Sequence, residues 1–221
     1  MIRKLALTLS VGPALVFVGI GAAQAQEDYP QPQTAKPADC PQSGFLVQGT
    51  AGDDARNGSA LSDVINGLAG NDTLNGLGGA DCLYGGDGND RLNGGARNDA
   101  IFGGGDGNDR ATGSTGSDRI SGQAGDDQSL SGGSGSDRVS GGGGEDFVSG
   151  GAGADMLTGG SGADRISAGS GRDKVSAGAG NDRISVRDNV KDTVNCGSGR
   201  DRVTTDAKDT VATNCESVSR K

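Results

Sequence analysis

The chain of 221 residues contains 44 glycines, no histidine and no tryptophan, and it has a formal net charge of −9. An aromatic content of 3% argues against a conventional globular core, and the acidic excess disfavours nucleic acids and anionic membranes as partners. Without histidine, the commonest general base of enzymes and the usual ligand of zinc are both missing.

The first 25 residues have the pattern of a secretory signal peptide. Arg3 and Lys4 precede an apolar run over residues 5–20, and Ala23-Gln24-Ala25 is an A-x-A cleavage site. The run is interrupted by glycine and proline and is short for a membrane span. We therefore predict cleavage after residue 25, an extracellular protein and no membrane insertion. Cleavage would remove two positive charges and lower the net charge from −9 to −11.

Two short segments separate this signal from the body of the chain. Residues 26–39 are polar and contain three prolines, which is typical of an extended linker. Residues 40–48 match the length of one repeat of the body, with Val47 at the aliphatic position and Phe45 in place of the aspartate. We interpret them as an N-terminal cap in which Phe45 and Leu46 help to close the open end.

A nine-residue unit, G-x-x-G-x-D-x-U-x with U aliphatic, repeats from residue 49 to residue 185. The segment holds 15 units and two single insertions, near Gly103 and at Gln128-Ser129. After it, residues 186–221 are degenerate repeats and a C-terminal cap, as expected at the end of a solenoid. Aspartate occupies the sixth position of every unit: Asp54, Asp63, Asp72, Asp81, Asp90, Asp99, Asp109, Asp118, Asp127, Asp137, Asp146, Asp155, Asp164, Asp173 and Asp182.

The unit predicts an all-β parallel solenoid. Positions seven to nine suffice for a short strand with its aliphatic residue inward, whereas glycines at positions one and four favour a turn over positions one to six. Two units then form one coil with a strand on each side, and coils stack at about 4.8 Å. The aliphatic side chains of the two sheets meet in a thin core.

Stacking also brings together aspartates that lie two units apart, and these carboxylates would repel each other. Turn carbonyls without a strand partner lie beside them. Calcium, which takes 6 to 8 oxygen ligands from carboxylates and carbonyls, would resolve both problems, whereas magnesium and soft metals fit less well. The predicted calcium ligands are Asp72, Asp81, Asp90, Asp99, Asp109, Asp118, Asp127, Asp137, Asp146, Asp155, Asp164, Asp173 and Asp182.

These units resemble the G-G-x-G-x-D-x-U-x repeats of RTX (haemolysin-type) calcium-binding proteins. The resemblance implies a right-handed parallel β-roll with calcium ions bound between turns by aspartates and glycine carbonyls. Leu61 and Arg97 replace the fourth-position glycine, and Ala168 and Ala177 replace the first, so these turns are expected to bind calcium weakly or not at all. The matching hexads are Gly85–Asp90, Gly104–Asp109, Gly132–Asp137, Gly141–Asp146, Gly150–Asp155 and Gly159–Asp164.

Three other interpretations of the repeat stay open. Aspartate could serve only as a turn residue in a metal-free solenoid. The basic residues at position seven, Arg91 to Arg183, could bind an acidic polysaccharide, although we favour solvent-facing charge that offsets neighbouring aspartates. A ladder of serines at position nine could bind ice, but serine beside arginine makes this the weakest of the three.

The four cysteines of a chain predicted to be exported are expected to form disulfides. Cys196 and Cys215 are 19 residues apart, close to one coil of 18, so stacking would bring their Cα atoms within bridging range. Cys40–Cys82 then follows by elimination, although it requires the N-terminal segment to fold back across more than one coil.

From these observations we predict a secreted calcium-binding repeat protein that folds on calcium binding outside the cell. Its expected role is structural or adhesive and not enzymatic, with calcium ions as partners and, beyond them, cell-surface polymers or other proteins. An alternative is a non-catalytic accessory module of a secreted enzyme or toxin system, for which residues 26–48 are too few to hold the catalytic domain. An ice-binding solenoid is the remaining alternative.

Overall fold

The computed structural model describes residues 44–220, which form a parallel β-solenoid of 20 strands in two ten-stranded sheets. Within these residues no helix is long and apolar enough to cross a bilayer. The odd sheet consists of β1 (Leu46–Gln48), β3 (Val64–Ala69), β5 (Cys82–Asp87), β7 (Ala100–Phe102), β9 (Arg119–Ala124), β11 (Arg138–Gly143), β13 (Met156–Ser161), β15 (Lys174–Ala179), β17 (Thr193–Ser198) and β19 (Thr210–Val211). The even sheet consists of β2 (Ala55–Asn57), β4 (Thr73–Gly78), β6 (Arg91–Ala96), β8 (Arg110–Thr115), β10 (Ser129–Ser134), β12 (Phe147–Ala152), β14 (Arg165–Ser170), β16 (Arg183–Val186), β18 (Arg202–Thr205) and β20 (Ser217–Arg220).

Successive strands alternate between the two sheets, and each strand pairs with the strand two places along the chain. Ile65 lies beside Leu83 in the odd sheet, and Leu74 lies beside Leu92 in the even sheet. Both pairs are 18 residues apart, which is the length of two units. The predicted coil of two repeats is therefore confirmed, and equivalent side chains form columns along each sheet.

The strands are longer than the sequence pattern predicts. Most of them have six residues, covering positions seven to nine of one unit and positions one to three of the next, as in Arg91–Ala96. The turn is confined to positions four to six, so the expectation of a turn over positions one to six is wrong. The reason is that first-position glycines such as Gly94 continue the strand alternation and face inward.

The core contains two inward columns in each sheet. The eighth-position aliphatic residues are buried from Ile65 to Val203, as predicted. The first position adds a second column, which is glycine in the early coils but becomes Ala168, Ala177 and Val186 near the C-terminal end. At that end the first position therefore adds side chains to the core.

The two insertions change the turns and leave the register of the strands intact. Gly103 is buried at the first position and Gly104 has φ +109°, like other second-position residues, so the extra residue lies within the turn before Asp109. The expected register, which starts that hexad at Gly104, is wrong by one residue. Gln128 is the second extra residue, because Ser129 pairs with Arg110 and Leu130 with Ala111.

At the N-terminal end, Val47 stacks on Ile65 and packs against the core as predicted. Phe45 and Leu46, however, are 63% and 70% exposed, so the expectation that their side chains close the end is wrong. Phe45 contributes through its backbone, because its carbonyl accepts a hydrogen bond from the Val64 N–H. The remainder of the expected cap, the linker and the signal peptide lie outside the described residues.

The C-terminal coils are closed by a disulfide. Cys196 in β17 is bonded to Cys215 in the loop before β20, with their Cα atoms 5.3 Å apart. This confirms the pairing predicted from coil stacking. Cys82 is fully buried and is not a free thiol; its expected partner, Cys40, lies outside the described residues.

Candidate metal centre

The sixth-position aspartates face inward, in line with the aliphatic residue two places on, and they are buried from Asp63 to Asp209. From Asp72 onward, one carboxylate oxygen of each accepts a hydrogen bond from the backbone N–H of the aspartate one coil earlier, whereas Asp63 accepts from the Phe45 N–H. Asp72 N–H donates to Asp90 Oδ1 at 2.7 Å, and Asp146 N–H donates to Asp164 Oδ1 at 2.9 Å. Every coil therefore holds the next through its aspartates, in two ladders on opposite sides of the solenoid.

The second carboxylate oxygen, Oδ2, is buried and has no hydrogen-bond partner in fifteen of these aspartates. A buried carboxylate oxygen without a donor or a cation is strongly unfavourable, and its repetition in coil after coil requires an explanation. The fifteen are Asp72, Asp81, Asp90, Asp99, Asp109, Asp118, Asp127, Asp137, Asp146, Asp155, Asp164, Asp173, Asp182, Asp192 and Asp201.

The first two units show how a turn can satisfy the same oxygen without a cation. Thr50 donates its N–H to Asp54 Oδ2 at 2.5 Å and its hydroxyl at 2.9 Å. Ser59 makes the same two bonds to Asp63 Oδ2, at 2.6 and 2.9 Å. In these units the strand ends after three residues, which frees the second-position N–H and hydroxyl for the carboxylate. Asp54 and Asp63 are therefore capped turn residues.

The pKa values follow the same division. The backbone N–H of Thr50 lowers the pKa of Asp54 below its ordinary 3.8. Burial raises the pKa of Asp90 to about 6 and that of Asp99 to about 7, opposed only in part by the ladder hydrogen bond. The same repeat position thus stabilises the carboxylate at the end of the solenoid and destabilises it in the middle.

Backbone carbonyls without donors lie in the turns. Between Gly70 and Gly180, the fourth-position carbonyl of each unit accepts no hydrogen bond within the described part of the chain. On the even side, side chains at position five add further oxygens: Asn89 Oδ1 accepts from Asn108 N–H, and Asp126 Oδ1 accepts from Glu145 N–H, both at 2.8 Å. The turns are therefore rich in oxygen and poor in donors.

The first-position glycines leave space for the free oxygen. A Cβ at Gly85 would lie 2.1 Å from Asp90 Oδ2 and 2.2 Å from the Gly103 carbonyl oxygen of the next coil. A carboxylate oxygen and a carbonyl oxygen thus converge on the volume that a side chain would fill. Among residues 44–220, no three acidic or cysteine side chains gather into a metal site by themselves. A cation held here would combine carboxylate with carbonyl oxygens, which is the donor set that calcium prefers.

The thirteen aspartates predicted as ligands, Asp72 to Asp182, all carry the free buried oxygen. Sequence reasoning missed Asp192 and Asp201, which share it although the surrounding glycines thin out. The signal that could have found them is the Asp-x-aliphatic triplet, with Val194 and Val203 buried in the core. Of the two departures at position four, Arg97 keeps the turn geometry with φ +83°, and Asp99 keeps its free oxygen.

Sequence comparison also identifies this unit as a calcium-binding repeat. The family of the RTX calcium-binding nonapeptide repeat (4 copies) matches residues 57–92, 84–106, 103–130, 128–157 and 158–186. Together these matches cover more than half of the chain.

The chain belongs to the RTX calcium-binding nonapeptide repeat family. The matched region begins just beyond the first capped aspartate and ends at Val186, so it contains the thirteen predicted RTX ligands. No curated protein matches the chain.

Proposed function

We propose that this RTX protein binds calcium in its turns and that calcium binding drives its folding. The observation that carries the proposal is the series of buried aspartate oxygens without donors. The ligands proposed are the thirteen predicted aspartates and the fourth-position carbonyls of the turns. Asp173 and Asp182 are expected to bind weakly, because Ala168 and Ala177 occupy the volume that glycine leaves open in the other units. Asp192 and Asp201 are left out for the same reason, since Val186 and Cys196 stand at the first position of their units. A bound calcium ion would supply the positive charge that these oxygens lack.

The coupling to folding follows from the cost of burying the ladders without a cation. Burial raises the pKa of Asp127 to about 7 and that of Asp192 to about 7, because the charged form loses its hydration and neighbouring carboxylates repel it. A cation that binds only the coiled chain removes this cost and stabilises the fold by mass action. Extracellular calcium modules commonly have dissociation constants of about 10⁻⁴–10⁻³ M. We expect folding in that range of free calcium.

We further propose that the protein is exported and has a structural or adhesive, non-catalytic role outside the cell. The signal-like residues 1–25 support export, as does the Cys196–Cys215 disulfide, because such bonds persist in oxidising compartments. A calcium-dependent fold suits that location, where calcium is abundant. A rigid solenoid held by hydrogen-bonded coils suits a structural role.

Calcium titration followed by circular dichroism tests the proposal. The chelated protein should give a largely disordered spectrum at pH 7.5, and millimolar calcium should restore the β signal where equal magnesium does not. A chelated protein that keeps its full β signal and its melting temperature would show that the aspartates serve only as turn residues.

Matched variants at one repeat position locate the ions. Asp146→Asn with Asp164→Asn keeps the Oδ1 acceptor but removes the free anionic oxygen from two neighbouring coils, so calorimetry should count fewer bound calcium ions. Asp54→Asn is the control, because its Oδ2 is already hydrogen-bonded to Thr50, and the number of ions should not change. Unchanged stoichiometry and affinity in the double variant would refute the assignment.

A further inference from the structure

The outer face of the even sheet carries a row of arginines beside a row of hydroxyls. Arg165, Arg183 and Arg202 lie on adjacent strands in direct register and point to solvent. Two residues further along each strand, Ser167, Ser185 and Thr204 form a parallel column. Strand spacing places the arginines about 4.8 Å apart. The row therefore has a regular repeat along the axis of the solenoid.

Within residues 44–220, no acidic side chain forms an ion pair with this row. The strands β12, β14, β16 and β18 contain no aspartate or glutamate, and the neighbouring ladder aspartates face inward and are buried. The one ion pair within residues 44–220 joins Arg56 to Asp54, at the other end of the solenoid. The position-seven side chains face solvent as expected, but they form no ion pair with the ladder aspartates, which lie on the inner side of the sheet. Three like charges at strand spacing repel each other unless an anion lies against them.

An aromatic ring lies at the N-terminal end of the arginine row. Phe147 is 45% exposed and lies beside Arg165, whose guanidinium carbon is 4.7 Å from the ring centroid. This contact holds the guanidinium over the ring and leaves part of the ring open to solvent. Phe147, the arginines and the hydroxyl column line one open groove of about 590 Å³.

We propose that this groove binds a linear polysaccharide that carries carboxylates, such as a chain of uronic acids. Each guanidinium can hold a carboxylate through two parallel hydrogen bonds, and the serine and threonine hydroxyls can bond the sugar hydroxyls. Phe147 offers a flat apolar surface for one sugar ring. The repeating row fits a polymer with one charge per sugar better than a single small anion, and from Phe147 to Arg202 it spans about 14 Å at strand spacing.

The polysaccharide groove is separate from the proposed calcium sites, which lie in the turns and the interior of the solenoid. The net charge of the whole chain is −9, so binding of a polyanion would have to be local to this face. The opposite sheet offers a comparison, because its row of Arg119 and Arg138 is interrupted by Met156. One solenoid would thus bind different ligands on different surfaces.

Binding of short oligogalacturonates to the calcium-saturated protein tests this inference, with neutral malto-oligosaccharides of equal length as the reference. Isothermal calorimetry should detect only the acidic series, with an affinity that falls as salt is added. Arg183→Gln should weaken binding about tenfold or more, as expected for loss of a charge-assisted hydrogen bond. Arg183→Lys should weaken it less, because it keeps the charge but loses the fork geometry.

Arg138→Gln, at the same repeat position on the odd sheet, is the matched control and should leave the affinity unchanged. Calcium titration of each variant, followed by circular dichroism, shows whether weaker polysaccharide binding results from the missing side chain or from impaired folding. Equal weakening by Arg138→Gln, equal binding of neutral sugars, or no binding at low salt would each overturn the proposal. Tighter binding of heparin or of a single-stranded oligonucleotide would overturn the assignment to carboxylates.

Discussion

At the scale of the residue, one aspartate position has two different environments. Asp54 and Asp63 receive donors from Thr50 and Ser59, whereas the aspartates from Asp72 to Asp201 keep one oxygen buried and free. The difference arises from a hydroxyl residue at the second position together with a strand that ends early. The hydroxyl alone does not suffice, because Ser114 stands four residues before Asp118 in a strand that continues, and Asp118 keeps its free oxygen.

The raised pKa values predict how acid affects the calcium-free protein. Burial raises the pKa of Asp99 to about 7 and that of Asp109 to about 6 in the folded chain, against an ordinary value of 3.8. Between about pH 4 and pH 7 the folded state therefore binds protons that the unfolded state does not, so its stability rises as the pH falls. The stabilisation is complete below the unfolded value and is lost as the pH rises through the folded values.

Metal-free protein, which is expected to be largely disordered near pH 8, should accordingly show more β structure at pH 5. Circular dichroism of protein dialysed free of metal measures this. Saturating calcium should reverse the order, because protons then compete with the ion for the same oxygens. A metal-free β signal that is equal at both pH values, or weaker at pH 5, would contradict the burial of charge described above.

At the scale of the strand and turn, close backbone contact between coils determines where glycine is needed. Gly153, at the fourth position, has φ +143°, and a Cβ there would lie 1.5 Å from the Gly135 carbonyl oxygen one coil earlier. Gly143, at the third position, has no such constraint, because its nearest contact would be Ser161 Oγ at 3.5 Å. Glycine is abundant throughout the repeat, but its positions are not equivalent.

We therefore expect opposite effects from two glycine-to-alanine substitutions in calcium-saturated protein. Gly153→Ala should lower the free energy of unfolding by about 1–3 kcal/mol or more, from backbone strain and overlap with the preceding coil. Gly143→Ala should be neutral or stabilising by up to about 1 kcal/mol, because it restricts the unfolded chain. Denaturant unfolding of the two variants measures the difference, and similar losses in both would argue against the described stacking.

Much of the fold could be predicted at this scale, and the failures have physical causes. Strict spacing of Asp146, Ile166 and their equivalents predicts two repeats per coil and the inward aliphatic columns. The predicted strand length was too short, because glycine at the first position is also compatible with a turn. In this solenoid the first-position glycine lies inside a strand and leaves room for the aspartate oxygen. The capping of Asp54 depends on tertiary contacts that a serine or threonine in a loop does not reveal.

At the scale of the whole molecule, the C-terminal end is held differently from the rest. The ladder beside the even sheet ends where Asp201 N–H donates to Glu216 Oε2 at 2.8 Å. The Cys196–Cys215 bond closes a loop over the last coil. Beyond Val203 the strands are short, and Val218 is 40% exposed. The disulfide thus compensates for a coil with little apolar burial.

Replacing both cysteines with serine should lower the free energy of unfolding by about 3 kcal/mol, the loop-closure value for a loop of this length. Because repeats contact only their neighbours, the loss should appear first as fraying of β17 to β20. Hydrogen exchange in calcium should show faster exchange there and unchanged protection around Leu130. Uniformly faster exchange along the solenoid would show that the molecule melts as one unit.

The aspartate ladder also gives the solenoid a direction. Each N–H in it donates to a carboxylate that lies one coil later in the chain, as Asp164 N–H does to Asp182 and Asp182 N–H to Asp201. Synthesis runs from the N-terminus, so every newly made coil presents its donor before its acceptor exists. Each coil is therefore held only after the following coil has been made. The growing end of the solenoid always carries an aspartate N–H that still lacks its acceptor.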